Sequence, residues 1–265
     1  MGIPGCTQAL RAIALGCGLA WLSPVTVLVA ATPDSVRVFD AAIPQDEPFG
    51  LPVSTVPAGA LQDKWLGLAG KLDDERVQIA LCDGDRDRCA SAAALRFLAI
   101  VDTARLREGR ARLGEINRAI NLAIRPVSDL AQYGEIDVWS PPLQTFDRGA
   151  GDCEDYAIAK FMALRQAGIA ADDLRIVILR DTIRGEDHAV AATRLDGRWL
   201  MLDNRRMAMV EDIHVRNYRP LFVIDQSGIM KYSEQPLLAH GSERDSAPTL
   251  APAPVIQPGL IAAFE

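Results

Sequence analysis

The Asp196-Gly197 pair, with an apolar run on each side, constrains the fold more than any other part of the sequence. An Asp-Gly dipeptide between two apolar runs is typical of a two-residue hairpin turn. If these residues form the turn, Val190 lies opposite Asp203 and His188 becomes the diagonal neighbour of Asp203 on one face of the hairpin. Diagonal neighbours lie about 7–8 Å apart at the backbone, within reach of a hydrogen bond between long side chains. A register one residue away would place His188 and Asp203 on opposite faces, so this prediction depends on the turn assignment.

A second segment places a cysteine at the predicted start of a helix. In the stretch GAGDCEDY, Cys153 follows two glycines and has one carboxylate before it and two after it. The residues that follow are largely good helix formers, with Ala157, Phe161, Leu164 and Ala167 on one face, and the helix is predicted to stop at Gly168. Since a helix N-terminus lowers the pKa of a cysteine, this position suits a reactive thiolate. The alternative is a buried structural thiol.

A cysteine nucleophile needs a base, and the base needs a group that orients it. The chain has three histidines, and only His188 lies in a predicted strand, beside the carboxylate of Asp203. Cys153, His188 and Asp203 are therefore the predicted catalytic residues. Taken singly, His188 is equally consistent with a structural histidine and Asp203 with a strand-end cap.

These segments resemble the bacterial transglutaminase-like cysteine proteinases, whose members include periplasmic LapG-type proteases. The resemblance covers about residues 116–229 and is carried by the segments GDCEDYAIAKF, DHAV, LDN and YGEIDVWSPP. It implies an α+β fold with a papain/transglutaminase-like core, in which the nucleophile helix packs on an antiparallel β-sheet and further helices lie N-terminal to it. It also implies Cys153 as nucleophile, His188 as base and Asp203 as the orienting residue.

The same resemblance implies a calcium site, because acidic residues flank the cysteine in LapG-type members. The residues in question here are Asp152 and Glu154, with Asp155 as a third ligand. Ca²⁺ takes several oxygen ligands, and three carboxylates in four positions exceed what helix capping needs. The alternative is that Asp152 caps the helix while Glu154 and Asp155 complement its dipole.

The resemblance further implies a protein substrate, since LapG-type members release large adhesins from the cell surface, a step in biofilm turnover. It also implies a partner, an inner-membrane cyclic-diguanylate receptor that sequesters the protease. The formal net charge of −7 argues against nucleic acid as a partner. Two other functions remain open: a transamidase or cell-wall amidase with the same triad, and a non-catalytic calcium-dependent binding module.

The chain ends predict the compartment and the domain limits. Residues 1–31 carry one charged side chain, Arg11, and an apolar run that ends in Val-Ala-Ala, which is typical of a secretory signal peptide. A retained membrane anchor is the alternative. We therefore expect a periplasmic protein with a peptidase domain over residues 32–235. Residues 236–265 are rich in proline and alanine and are predicted to be disordered.

Removal of residues 1–31 would leave three cysteines in an oxidising compartment. Cys82 and Cys89 flank a polar turn and could close a small disulfide loop, which would leave Cys153 as the odd, reactive thiol. Residues 91–123 contain two helical patterns, whose apolar positions are Leu95, Leu98, Val101, Leu113, Ile116, Ile120 and Leu122.

Overall fold

The computed structural model describes residues 47–233, in which a mixed group of helices packs on a seven-stranded antiparallel sheet. The strand order is β1-β9-β8-β4-β5-β6-β7. The main strands, β4, β5, β6, β8 and β9, are supplied by the C-terminal half of the described chain. The bounds are β1 Val53–Thr55, β4 Leu174–Asp181, β5 Glu186–Leu195, β6 Arg198–Leu202, β7 Val210–Glu211, β8 Tyr218–Asp225 and β9 Gly228–Tyr232.

The predicted hairpin is confirmed in its register. β5 pairs with β6 so that Leu195 lies opposite Arg198, with Asp196 and Gly197 between them as the turn. Both turn residues have positive φ, 52° and 76°, as expected of the two-residue turn whose twist matches that of the flanking strands. His188 lies near the start of β5 and Asp203 directly follows β6, so the two side chains share one end of the sheet.

The predicted cysteine helix is α6, Cys153–Gln166, and its start and end match the sequence prediction. Gly168 has φ +91°, and the N–H of Ile169 bonds back to Leu164, which closes the helix with a glycine-based C-terminal motif. The helix is more buried than its single predicted apolar face suggests, since every residue from Asp155 to Leu164 is buried. These buried residues include a lysine, Lys160. The helix is buried on both sides because α6 lies between the sheet and the N-terminal helices.

The N-terminal helices form a layer around α6. They comprise α1 Ala60–Gly84, α2 Ala92–Arg105, α3 Gly109–Ala123, α4 Asp129–Tyr133 and α5 Pro142–Arg148. The two helical patterns of residues 91–123 correspond to α2 and α3, and their predicted apolar positions are mainly core residues. Leu122 differs, since it is 66% exposed. A short parallel pair, β2 Arg125–Pro126 and β3 Ala150–Gly151, leads the chain into α6.

A disulfide links the end of α1 to the segment before α2. Cys82 and Cys89 are bonded, with their Cα atoms 4.8 Å apart, which confirms the proposed loop. Cys153 is the free cysteine of the described chain.

Several predictions concern residues beyond 47–233. The signal peptide, residues 1–31, and the tail, residues 236–265, lie outside the described residues, as do the exact limits of the domain, 32–235. Within residues 47–233, no helix has the length and apolar character needed to cross a bilayer.

Candidate active site

Cys153 is the first residue of α6 and is half-buried at the point where α6 packs against β5. Its sulfur donates a hydrogen bond to Glu154 Oε2 at 3.1 Å. The sulfur also lies close enough to β5 to accept a hydrogen bond from the backbone of Ala189, the residue after His188. The first turn of the helix and the start of the strand therefore meet at this thiol.

His188 and Asp203 form the hydrogen bond that the hairpin register predicts. The imidazole Nε2 lies 3.0 Å from Asp203 Oδ1, and both side chains are buried. The other ring nitrogen, Nδ1, is buried and has no hydrogen-bond partner among the described residues. Because Nε2 donates its proton to the Asp203 carboxylate, Nδ1 is the nitrogen that remains free to take a proton.

Asp203 is held as an ionised carboxylate. Burial by itself favours the neutral acid, but hydrogen bonds from His188, from the Tyr218 hydroxyl and from the Arg205 backbone N–H outweigh it and keep the pKa of Asp203 well below its usual range. The Arg205 N–H lies 2.9 Å from Oδ1 and the Tyr218 hydroxyl 2.5 Å from Oδ2. A negative charge is therefore maintained beside His188 at neutral pH.

Three carboxylates converge beside Cys153, and only two of them belong to the predicted calcium set. Asp129, Asp152 and Glu154 each offer an oxygen atom, and these three atoms lie within 4.8 Å of one another. Asp129 Oδ1 and Asp152 Oδ1 are buried without a hydrogen-bond partner among the described residues. Burying a carboxylate oxygen without a hydrogen-bond donor costs free energy, and a bound cation would compensate for the missing donors.

Asp155, the third predicted ligand, lies outside this carboxylate cluster. It is fully buried, and its Oδ1 accepts the backbone N–H of Ser140 at 2.9 Å. Its position in the first turn of α6 points Asp155 toward Ser140, in the loop before α5. Burial raises the pKa of Asp155 to about 7. Asp129 therefore replaces Asp155 in the geometric cluster.

Asp152 occupies the N-cap position of α6, yet its side chain makes no capping hydrogen bond. Burial and the charge of Glu154 raise the pKa of Asp152, and burial likewise raises that of Glu154. The alternative interpretation of Asp152 as a simple helix cap therefore lacks its main contact.

The carboxylates oppose ionisation of the cysteine. Burial raises the pKa of the Cys153 thiol, and the charge of Glu154 raises it further, whereas the hydrogen bond from Ala189 lowers it. The helix N-terminus alone does not produce a thiolate here. A positive charge at the carboxylate cluster, or on His188, would favour one.

The loop between α4 and α5 is tied to the same carboxylates. The Val138 N–H donates to Asp129 Oδ2, while the Ser140 N–H donates to Asp155. The indole N–H of Trp139 donates to Asp137 Oδ1 at 2.8 Å. The segment that approaches the cysteine in the sequence is therefore anchored by acidic side chains from α4 and α6.

Sequence reasoning missed two residues of this site. Asp129 lies more than 20 positions before Cys153, and Tyr218 begins β8, a strand that the sequence analysis did not assign. Each reaches the site through tertiary packing. The only local signal for Asp129 is its position after Ser128, a pattern typical of a helix start.

The chain is similar to several solved structures and to one protein family. Among solved structures, calcium-bound Legionella pneumophila LapG matches at a TM-score of 0.47 and 21% identity, over 55% of this chain and 82% of that chain. An EGTA-treated structure of the same protein matches at 0.48 and 21%, over 59% and 84%. A search of curated protein sequences found no match.

The sequence model of one protein family matches residues 77–231, which is more than half of the chain. The matched region spans the whole of α6, the β5–β6 hairpin and most of the N-terminal helices. Its members are cysteine peptidases, and the chain belongs to this family, the bacterial transglutaminase-like cysteine proteinases.

Proposed function

We propose that this protein is a periplasmic, calcium-dependent cysteine endopeptidase in which Cys153 is the nucleophile, His188 the general base and Asp203 the orienting residue. The observation that carries the proposal is the His188–Asp203 hydrogen bond of 3.0 Å, which leaves a buried, unpartnered Nδ1 on the strand that reaches Cys153. A cysteine hydrolase needs a nucleophile, a base and an orienting acid. In the structure the Cys153 thiol donates to Glu154 and not to His188 Nδ1, so the proposal requires the thiol to turn from Glu154 toward the imidazole.

In the acylation step, His188 Nδ1 takes the thiol proton of Cys153 and the thiolate attacks the carbonyl carbon of a peptide bond. Asp203 holds the proton on Nε2 and stabilises the imidazolium that forms. The backbone N–H of Cys153, at the open N-terminus of α6, can donate to the developing oxyanion. Collapse of the tetrahedral intermediate breaks the C–N bond, and the imidazolium returns its proton to the leaving amine.

Deacylation repeats these roles with water. His188 Nδ1 accepts a proton from the water that attacks the thioester, and the second collapse expels the thiolate, which regains its proton from the imidazolium. The net reaction is hydrolysis of one peptide bond. No other residue among those described needs to change its protonation state.

The carboxylate cluster fits a calcium ion. Its ligands would be Asp129, Asp152 and Glu154, hard oxygen donors of the type that Ca²⁺ prefers, with two of their oxygens otherwise unpaired. Bound calcium would neutralise negative charge next to the sulfur and so favour the thiolate. Asp155 contributes to this proposal indirectly, by fixing Ser140 in the loop that Asp129 also holds.

The calcium site is tested by isothermal titration of the purified protein with CaCl₂. We expect one site in the wild type and at least about tenfold weaker binding in Asp129→Asn, since it replaces a charged ligand. The matched control is Asp73→Asn, an exposed carboxylate on α1. Unchanged affinity in Asp129→Asn, or loss of binding in Asp155→Asn alone, would contradict the proposed ligand set.

The family implies a protein substrate. We propose a large surface adhesin as that substrate and an inner-membrane cyclic-diguanylate receptor as the partner that restrains the protease. The support is the resemblance of the cysteine, histidine and aspartate segments to LapG-type members, together with the signal-like residues 1–31, which would deliver the protein to the compartment of such a substrate.

The substrate proposal is tested in the source bacterium by comparing proteins released into the medium by cells with the wild-type chain and cells with Cys153→Ala. We expect a large surface protein to be released only with the wild type and to carry a new N-terminus. Identical sets of released proteins would refute the adhesin proposal. A periplasmic fraction without the protein would refute the proposed location.

A further inference from the structure

Tyr218 completes the hydrogen-bonded group around Asp203, and nothing in the sequence pattern points to it. We infer that Tyr218 is a positioning residue of this peptidase: its hydroxyl holds the Asp203 carboxylate in the one orientation that keeps the proton of neutral His188 on Nε2. The inference rests on the proposed function of Cys153, His188 and Asp203.

The first argument is the division of the two carboxylate oxygens. Oδ1 of Asp203 accepts from His188 Nε2 at 3.0 Å, and Oδ2 accepts from the Tyr218 hydroxyl at 2.5 Å. Because each oxygen has its own side-chain donor, rotation of the carboxylate would break both bonds. The Arg205 N–H, 2.9 Å from Oδ1, adds a third restraint from the backbone.

The second argument is the packing of the phenol ring. The rings of Tyr218 and His188 meet edge to face, with centroids 5.8 Å apart and planes at 62°. Both residues are buried, and the Arg206 guanidinium lies over the Tyr218 ring, 5.9 Å from its centroid. A ring flip of His188 would therefore have to displace a buried side chain.

The third argument is that Tyr218 can act only as a donor here. Burial and the neighbouring Asp203 carboxylate raise the pKa of Tyr218, so its hydroxyl remains protonated. The other side chain whose charge acts on Asp203 is Lys160, which is fully buried and donates to the Leu202 carbonyl at 3.1 Å. Burial lowers the pKa of Lys160 to about 7. Lys160 donates to Leu202 and the Arg205 N–H to Oδ1, so Tyr218 is the one donor to Oδ2 among residues 47–233.

Removal of the hydroxyl would leave Oδ2 buried without a partner. An unsatisfied buried carboxylate oxygen is costly, and the carboxylate would turn or shift to recover a donor. His188 would then lose its fixed acceptor and could place its proton on Nδ1, the nitrogen that must accept the thiol proton. The expected defect is therefore in the chemical step, and not in substrate binding.

The test compares Tyr218→Phe with Tyr232→Phe in the calcium-loaded full chain. Tyr232 is a matched control because it is also a buried tyrosine of the same sheet, and its hydroxyl has no partner among the described residues. The first readout is ¹⁵N NMR of the imidazole groups, with His188→Gln used to identify the His188 signals. We expect the Nε2–H tautomer in the wild type and in Tyr232→Phe, and a mixture of tautomers in Tyr218→Phe.

The second readout is alkylation of Cys153 by iodoacetamide at pH 7, measured on its tryptic peptide by mass spectrometry. We expect about a tenfold slower reaction in Tyr218→Phe, because a hydrogen bond to a charged group has been lost, and an unchanged rate in Tyr232→Phe. If Tyr218→Phe folds and keeps the wild-type His188 tautomer, the inference is wrong whatever its alkylation rate. The NMR comparison needs no turnover, so it remains decisive even if His188 proves unnecessary for the reactivity of Cys153.

Discussion

Asp203 shows most clearly how single residues set up the chemistry of this site. Its carboxylate is buried, yet it stays ionised because three donors bind it, and one of these donors is the proposed base, His188. Cys153 is in the opposite situation, since burial and its acidic neighbours raise the pKa of its thiol. At the residue scale, then, the imidazole and the neutralisation of the carboxylate cluster have to supply the driving force for ionising the sulfur.

The low pKa of Asp203 has a consequence for stability. Its carboxyl group titrates near pH 3.9 in the unfolded chain and at lower pH in the folded one, so ionised Asp203 stabilises the fold above about pH 4. That contribution is lost as the pH falls toward the folded-state pKa. We expect Asp203→Asn to be less stable than the wild type at pH 7 and the gap to narrow between pH 5 and pH 3.

The measurement is urea unfolding of both proteins at several pH values in that range. The neutral amide cannot titrate, so the difference between the two curves isolates the effect of one carboxyl group. A difference in the free energy of unfolding that stays constant down to pH 3 would contradict the ionised, hydrogen-bonded Asp203 described above.

At the scale of elements, the site is made by the approach of the α6 start to the β5–β6 hairpin. The hairpin register follows from the sequence because a two-residue turn fixes the pairing of adjacent strands, and this brings His188 to Asp203. The limits of α6 follow from equally local signals, the glycines and the run of helix formers. Proximity of Cys153 to β5 depends on packing between distant segments, and no local pattern encodes it.

The carboxylate cluster shows where local reasoning fails. Asp155 is a neighbour of Asp152 in the sequence, but the geometry of a helix start turns it toward Ser140. Asp129 is distant in the sequence, but α4 brings it to Asp152 and Glu154. Tyr218 is also distant in the sequence, and it lies near the hairpin because β8 pairs with β4.

The close approach of β3 to α6 makes a specific prediction for Gly151. A Cβ at this position would lie 2.8 Å from both Cβ and Oδ2 of Asp155, closer than side-chain atoms normally come. We expect Gly151→Ala to lower the free energy of unfolding by about 1–3 kcal/mol, the usual cost of overpacking a filled site. Urea unfolding at pH 7 measures it.

Gly70→Ala is the matched control, because Gly70 lies inside α1 and a Cβ there would have no neighbour within 4 Å. It should keep or raise stability, by up to about 1 kcal/mol, since alanine is the better helix former. Equal effects of the two substitutions would mean that β3 does not approach α6 as described.

At the scale of the whole molecule, the helical layer covers one face of α6 while the sheet covers the other, so the site lies at the junction of the two layers. The disulfide between Cys82 and Cys89 joins the end of α1 to the segment before α2 within the helical layer. This position makes it a structural bond, remote in the chain from the residues of the proposed site.

Removal of that disulfide should therefore affect stability alone. We expect the Cys82→Ser, Cys89→Ser double variant to lose about 2–3 kcal/mol in the free energy of unfolding, the contribution of closing a short loop. Alkylation of Cys153 should keep its wild-type rate at temperatures where both proteins are folded. A slower reaction in the folded double variant would show that the helical layer controls the site.

The central claim of this account is that the imidazole of His188 activates the sulfur of Cys153. The most direct test is the rate at which iodoacetamide alkylates Cys153 at pH 7 in calcium, followed on the Cys153 peptide, in the wild type, in His188→Ala and in His214→Ala. His214 is the control because it lies in the short helix Asp212–His214, beside Gly197 at the turn of the hairpin and not at the His188–Asp203 end. We predict that His188→Ala lowers the rate by about 100-fold, the lower end of what general-base assistance contributes, and that His214→Ala leaves it unchanged. Equal rates in all three folded proteins would contradict the account.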